Sequence, residues 1–329
     1  MNEHEHRLAQ LTGVAANASA LCRPCAQDAG QRRRSRIHAS RWSDTRAACL
    51  LIAPVVILFG LAVAYPLIDT IRLSFTDMKG LGAGHYIGFG NYEALFQDSH
   101  FQRAWRTTLI WTASTTLLSV GAGWGLAMAC SLAPKATRIP RVMIFAAYGL
   151  SETVTGFIWL GIFRPDSGGL LNAGLEGIGL GRFAHAWLGD PSTALAALVI
   201  AYSWAQAGLP LMLCFAATQA IPAQIIEAAR MDGARGIALI RHIVMPLSMP
   251  GVRVSTFITL IGSLRAFDML FVMTNGGPVR STETLGFFMY RESMTQFKLG
   301  YGAAATLVLL AAVLLVSIPY IVRRAAEAP

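Results

Sequence analysis

An all-α membrane domain of six spanning helices is the fold class this sequence predicts, and three observations predict it. The 329-residue chain is 54% hydrophobic and only 14% charged, where a soluble domain carries about a quarter charged residues. Its mean hydropathy is +0.49. Its apolar residues gather into long runs rather than short alternating patches.

Six runs have the ~20 residues that a helix needs to cross ~30 Å of hydrocarbon: residues 47–69, 107–130, 141–163, 194–218, 252–273 and 301–321. The first contains Pro54 and Pro66 and follows a basic stretch, residues 32–46. It is too long for the ~7–15-residue apolar core of a signal peptide. Its end, Ala64-Tyr65-Pro66-Leu67, is a poor cleavage site, so the first run is read as a retained helix.

Lys and Arg near the span ends set orientation. The segment before the first span carries Arg7, Arg23, Arg32, Arg33, Arg34, Arg36, Arg41 and Arg46. On the same side of a six-span chain fall Lys135, Arg138 and Arg141, then Arg230, Arg235 and Arg241, then Arg323 and Arg324. That side holds sixteen basic residues against nine on the other, which places both termini in the cytoplasm. The net charge of +9 therefore reads as a topology signal, not as a nucleic-acid surface.

The domain reading is a basic, disordered cytoplasmic tail over 1–46, a membrane domain over 47–323, and a short cytoplasmic end over 324–329. The tail lacks apolar periodicity, and its basic stretch is placed to meet anionic lipid. Cys22 and Cys25 form one C-x-x-C with no second pair; zinc there would need His4 or His6, and no metal site is assigned.

The connection between the fourth and fifth spans carries the mechanism. It reads Ile221-Pro222-Ala223-Gln224-Ile225-Ile226-Glu227-Ala228-Ala229-Arg230-Met231-Asp232-Gly233-Ala234 and runs on to Ile243-Val244-Met245-Pro246. Pro222 suits a first helical position, and Gly233 suits the left-handed residue past a helix end. Ile237, Ile240 and Val244 recur at helical spacing, and Pro246 is expected to end the run. The loop, residues 220–250, reads as helix, glycine turn, helix.

These residues resemble the EAA loop of ABC importer permeases: Glu227-Ala228-Ala229, Gly233, Ile243 and Pro246 fall in register, with Met245 where Leu is usual. Further blocks resemble the carbohydrate-uptake type: Phe89-Gly90-Asn91-Tyr92, Gly168-Gly169-Leu170-Leu171-Asn172, and Phe267-Asp268 with Thr274-Asn275-Gly276-Gly277-Pro278 and Thr282-Glu283-Thr284. Many relatives carry a proline near Tyr148, where this chain has Gly149-Leu150-Ser151-Glu152. The kink expected there is either absent or made by Gly149.

The resemblance implies a type I importer permease that moves a sugar, polyol or glycerol-3-phosphate inward. It implies a second permease, a periplasmic solute-binding protein and an ABC ATPase dimer as partners. Glu227, Ala228, Ala229, Asp232, Gly233, Ala234 and Pro246 would couple to that ATPase. Changing Glu227 or Gly233 is then expected to uncouple hydrolysis from transport. The chain itself is read as binding no cofactor. Lys79, Lys135 and Lys298 follow Met, Pro and Phe, so no Walker A loop exists and ATP with Mg is used by the partner.

Ionisable or strongly polar residues in a span are costly and mark function. Glu152 in the third span, Gln206 beside Trp204 in the fourth, and Arg265 and Asp268 in the fifth are candidate solute-path residues. Arg265 and Asp268, three apart, would share a helical face; they could instead pair with each other or with the partner subunit. Trp111, Trp124 and Trp159 are read as lipid-facing or packing aromatics. An ion-coupled secondary transporter is the alternative. It predicts midplane acids, which Glu152 fits, and internal repeats, of which none is visible. No residue is assigned a catalytic role, and the histidines show no H-E-x-x-H spacing.

Overall fold

The structure, a computed structural model, describes residues 49–80, 82, 84–133, 135–166 and 168–326. The tail 1–46 with Cys22 and Cys25, and residues 327–329, lie outside them. The chain divides into two compact units, Met1–Asp69 and Thr70–Pro329.

Among the described residues the chain is helical, with one isolated bridge between Thr76 and Tyr86. In chain order the helices are α1 Cys49–Ser74, α2 Gly90–Gln97, α3 Ser99–Leu132, α4 Arg138–Tyr148 and α5 Glu152–Ile162. There follow α6 Leu170–Gly177, α7 Ala194–Gln206, α8 Gly208–Gln219, α9 Ala223–Met231 and α10 Ile237–Leu247. The last are α11 Met249–Arg265, α12 Asp268–Thr274, α13 Leu285–Tyr290 and α14 Leu299–Ala326.

Three helices, α1, α3 and α14, are long and apolar enough to cross a membrane unaided; the pairs α4/α5, α7/α8 and α10/α11 qualify when each is taken as one span. The pairs bend by 104°, 43° and 60°. The kink left open in the third span is therefore a full break over residues 149–151.

Two of the prolines inside helices follow π turns. Pro66 follows a π turn at Gly60–Ala64, and Pro246 follows one at Ile240–Val244. A proline ring clashes with the carbonyl four residues back and offers no N–H to it; the wider π turn makes room for both defects. The expectation that Pro246 ends its run is corrected on this ground: the helix continues to Leu247 and turns at Ser248. Pro222 caps α9 from outside instead of occupying its first turn.

In the second unit α3 is the central post, packed against α7, α8 and α11. Lipid tails are as apolar as leucine, so such helices are held by close backbone approach and interhelical hydrogen bonds rather than by the hydrophobic effect. Gly123 supplies the approach to α8: a methyl group there would lie 2.6 Å from Pro210 Cβ and 2.8 Å from the Ala207 carbonyl. Hydroxyls supply the bonds. Thr115 Oγ1 on α3 lies 3.0 Å from Ser263 Oγ on α11, and the Trp124 indole donates to Ser248 at 3.1 Å.

The end of the bundle away from α9 is fastened by the asparagines of the sequence motifs. Asn91 Nδ2 donates to the carbonyls of Ser74 at 2.8 Å and Thr76 at 2.7 Å. Asn172 bridges Arg164, Pro165 and His185 and accepts from the Trp187 indole at 2.8 Å. In the 274–284 block the Thr274 and Thr282 hydroxyls pair at 2.8 Å. Glu283, 2% exposed, meets Arg291 at 3.1 Å and Arg280 at 3.7 Å. Burial pushes its carboxyl above the usual carboxylate range, against the pull of those two guanidinium groups. Removing one partner of a buried ion pair strands the other. Glu283→Ala is therefore expected to lower stability by about 3 kcal/mol, read as an earlier denaturation midpoint of the purified protein. An unchanged midpoint would show the pair to be idle.

Candidate translocation site and coupling loop

The 221–246 connection folds as its spacing predicts. Helix α9 ends on a left-handed residue, Gly233, with φ +86°. The Gly233 N–H donates to the Arg230 carbonyl at 3.1 Å and the Ala234 N–H to the Ala229 carbonyl at 2.9 Å. This pair of bonds is the Schellman closure, which satisfies carbonyls that a helix end otherwise leaves free. Gly236, φ +53°, then turns the chain into α10.

Of the predicted coupling residues, Glu227, Ala228, Asp232, Gly233 and Pro246 are exposed, Ala234 is half-buried and Ala229 is buried. Met231 and Ile237 beside them are 88% and 79% exposed. The loop thus offers a carboxylate flanked by bare apolar side chains.

The five path candidates share a feature that their spacing did not show: each lies at or next to a break in a span. Glu152 is the first residue of α5, and Gln206 is the last of α7 with Trp204 two residues before it. Arg265 is the last residue of α11 and Asp268 the first of α12. Arg265 and Asp268 therefore do not share a helical face, as their spacing had predicted. Ala266 between them is extended, φ −58° and ψ 126°, and divides the helix. No ion pair joins them among the described residues.

The breaks meet. The groups acting electrostatically on the Glu152 carboxylate are Asp268, the Met269 N–H and Arg265, so the third-span break faces the fifth. Helices α5 and α12 pack directly, and a methyl group at Gly156 would lie 3.1 Å from Val272. The fourth-span break faces the third: a methyl group at Gly208 would lie 2.9 Å from the Ile144 carbonyl and 3.1 Å from Tyr148 Cβ. Tyr202 on α7 is under the influence of Glu152, Ser263, Tyr148 and Arg265 together. Arg265 and Asp268 are exposed and Glu152 is half-buried, so the cluster has a solvent-accessible side within the chain.

Trp111 takes the packing side of its sequence reading, in the buried core, and it also builds this site. Its side chain is fully buried, and its indole N–H donates to the Ser263 carbonyl at 3.0 Å. Ser263 lies in the last turn of α11, and its carbonyl also accepts from the Ala266 N–H at 3.3 Å, so Trp111 adds a second donor at the broken end that carries Arg265. Its ring lies 5.0 Å from that of Tyr202. The only sequence signal for this was the Trp111-x-x-x-Thr115 spacing, which sets both side chains on one helical face.

Comparisons with known proteins agree with this architecture. The family described as "Binding-protein-dependent transport system inner membrane component" matches residues 119–326. A probable ABC transporter permease protein of Pyrococcus horikoshii is 33% identical over 85% of this chain and 96% of its own length. The sulfoquinovosyl glycerol transport system permease protein SmoG of Agrobacterium fabrum is 33% identical over 86% of this chain and 92% of its own. The sn-glycerol-3-phosphate transport system permease protein UgpA of Rhizobium meliloti is 30% identical over 80% of this chain and 90% of its own. Among solved structures, a chain of a bacterial ABC transporter for import of alginate superposes with a TM-score of 0.73 at 22% identity, covering 86% of this chain and 98% of that one. The family match and these relatives agree with the broken spans: the chain belongs to the binding-protein-dependent inner-membrane components, the non-catalytic permease subunits of ABC importers.

Proposed function

We propose that this chain forms half of the translocation path for a sugar or sugar-like solute, paired with a second, unlike permease. The gathering of Glu152, Gln206, Arg265 and Asp268 at three touching span breaks carries this reading. Broken helices place backbone ends and polar side chains where lipid-facing helices cannot. Tyr148 and Trp204, both partly exposed, add aromatic faces to the hydrogen-bonding side chains, a combination that suits a ring with C–H faces and hydroxyls. Several relatives are named for sugar-containing or polyol solutes: sulfoquinovosyl glycerol, glycerol-3-phosphate and diacetylchitobiose.

A periplasmic binding protein delivers the solute. A separate ATPase dimer, holding ATP and Mg, receives α9 on the cytoplasmic side, with Glu227, Asp232 and the exposed Met231 at the contact. Closure of the dimer moves α9 and opens the path outward; hydrolysis returns it inward. Nothing in this cycle requires this chain to bind nucleotide.

Two results are expected. The full chain should copurify with an ATPase subunit, and uptake into vesicles should stop without ATP. An epitope inserted after Arg235 should be reached by antibody only when the cytoplasmic side is opened. Accessibility of that epitope from outside intact cells would overturn the orientation, and uptake driven by an ion gradient alone would overturn the coupling.

A further inference from the structure

The coupling loop joins the fifth span through an elbow. Helices α10 and α11 meet at 60°. Ser248 lies at the bend, with Pro246 and Pro250 two residues to either side. Neither proline has an N–H to give to the carbonyl four residues back, so the backbone ladder is interrupted twice within five residues. Ser248 carries bonds across the bend: its N–H donates to the Val244 carbonyl at 2.9 Å, and its own carbonyl accepts from Gly251 at 2.9 Å and from Val252 at 3.4 Å.

Side chains hold this elbow from two neighbouring helices. Ser248 is fully buried. Its hydroxyl donates to the Met245 carbonyl at 2.9 Å and accepts from the Trp124 indole on α3 at 3.1 Å. One oxygen therefore ties the last turn of α10 to the central post. The Trp124 ring packs against the buried cluster that contains Met128, Leu211, Cys214 and Val244. Three residues past Ser248, Gly251 seats the start of α11 on α8: a methyl group there would lie 2.8 Å from Ala217 Cβ and 2.9 Å from the Leu213 carbonyl. The same post holds the far end of α11 through Trp111 and Ser263. The two indoles stand thirteen positions apart on α3 and their serines fifteen apart on α11, about 20 Å along each axis. Helix α11 is thus fastened to one post near both of its ends.

We propose that Trp124 is a positioning residue for coupling. Its indole N–H holds the Ser248 elbow at one angle, so displacement of α9 and α10 by the ATPase turns α11 as a unit, with Arg265 at its far end. Without that bond the displacement is taken up by flexing between Pro246 and Pro250, where the backbone ladder is weakest. Trp124 acts through Ser248 and needs no contact with ATPase or solute. This role rests on the reading of the 221–246 connection as the ATPase contact.

Nitroxide labels read the elbow without a solute. The full-length chain, its five native cysteines replaced by alanine, would be assembled with its second permease and ATPase dimer in lipid vesicles. Arg241→Cys on α10 and Ile258→Cys on α11, both exposed, take one label pair across the elbow. Arg241→Cys with Leu132→Cys, at the exposed end of α3, takes a second pair that reads whether α10 moves against the post. Both distances are measured without nucleotide and with ATP trapped by vanadate. The parent chain should change the second distance on trapping and keep one narrow distance across the elbow. Trp124→Phe keeps an aromatic ring and loses the donor. It should give the elbow a second distance, populated about fivefold more than in the parent chain, the weight of one hydrogen bond. Ser248→Ala removes the bond from the other side and should do the same, and the double variant should go no further than Ser248→Ala. Should Trp124→Phe fail to assemble, Ser248→Ala alone decides. A parent-like elbow in both states of the variants overturns the role. So does release by Trp124→Phe that Ser248→Ala does not reproduce, because ring packing then holds the elbow, and so does an elbow distance that shifts on trapping in the parent chain. A second distance indifferent to trapping removes the coupling reading, and the role of Trp124 with it.

Discussion

A complex carrying Gly233→Val is expected to keep hydrolysing ATP while importing less than about a tenth of the wild-type amount of solute. The reason is local and geometric. Gly233 has φ +86°, a region that costs a residue with a Cβ roughly 1–2 kcal/mol and a β-branched one more. Nothing lies within 4 Å of the position a Cβ would take, so the penalty is backbone strain alone and not a clash that could unfold the bundle. The strain is relieved by opening the Schellman closure, which frees the Ala229 and Arg230 carbonyls and lets the end of α9 fray. A frayed α9 transmits less of the ATPase movement to α10 and α11. Gly233→Asn, which tolerates the left-handed region, should recover most of the transport. Rates of ATP hydrolysis and uptake measured in the same vesicles decide the matter. Equal uptake by the valine variant would mean that the turn is not part of the coupling device.

The spans and the glycine turn of the 221–246 connection were legible in the sequence for different reasons. The spans follow from composition over ~20-residue windows, and the α9 turn follows from one glycine at one spacing. The breaks were legible only in part. Gly149 was the one signal for the third-span break; Ala266 is no helix breaker, and a hydropathy window runs across it unchanged. The fifth-span break is bridged from a neighbouring helix, where the Trp111 indole on α3 donates to the Ser263 carbonyl and the Thr115 hydroxyl to the Ser263 hydroxyl. The polar candidates were found because charge in a membrane is conspicuous; their true relation was hidden because Arg265 and Asp268 read as one helical face when a straight helix is assumed. Tryptophan was the weakest signal. A side chain that serves lipid, core and interface equally well carries little information until its N–H is seen to have a partner.

The same reading makes Trp111 the side chain whose loss should cost most. Its ring is fully buried against Tyr202, and its N–H donates to the Ser263 carbonyl at 3.0 Å. Trp111→Ala removes both and should destabilise the chain by about 3–5 kcal/mol, enough to prevent accumulation in the membrane. That variant alone does not separate packing from positioning, whereas Trp111→Phe does. Phenylalanine keeps most of the buried area and lacks only the donor; the Ser263 carbonyl keeps the Ala266 N–H at 3.3 Å, so the cost is that of one lost hydrogen bond, about 0.5–1.5 kcal/mol. The cost falls on the closed break, so the ends of α11 and α12 gain freedom and Arg265 and Asp268 lose their fixed relation to Glu152. The phenylalanine variant is therefore expected to assemble and to hydrolyse ATP, yet to transport several-fold less at saturating solute. If the phenylalanine variant matches the wild type in uptake, the indole bond is incidental and the break is held by packing alone.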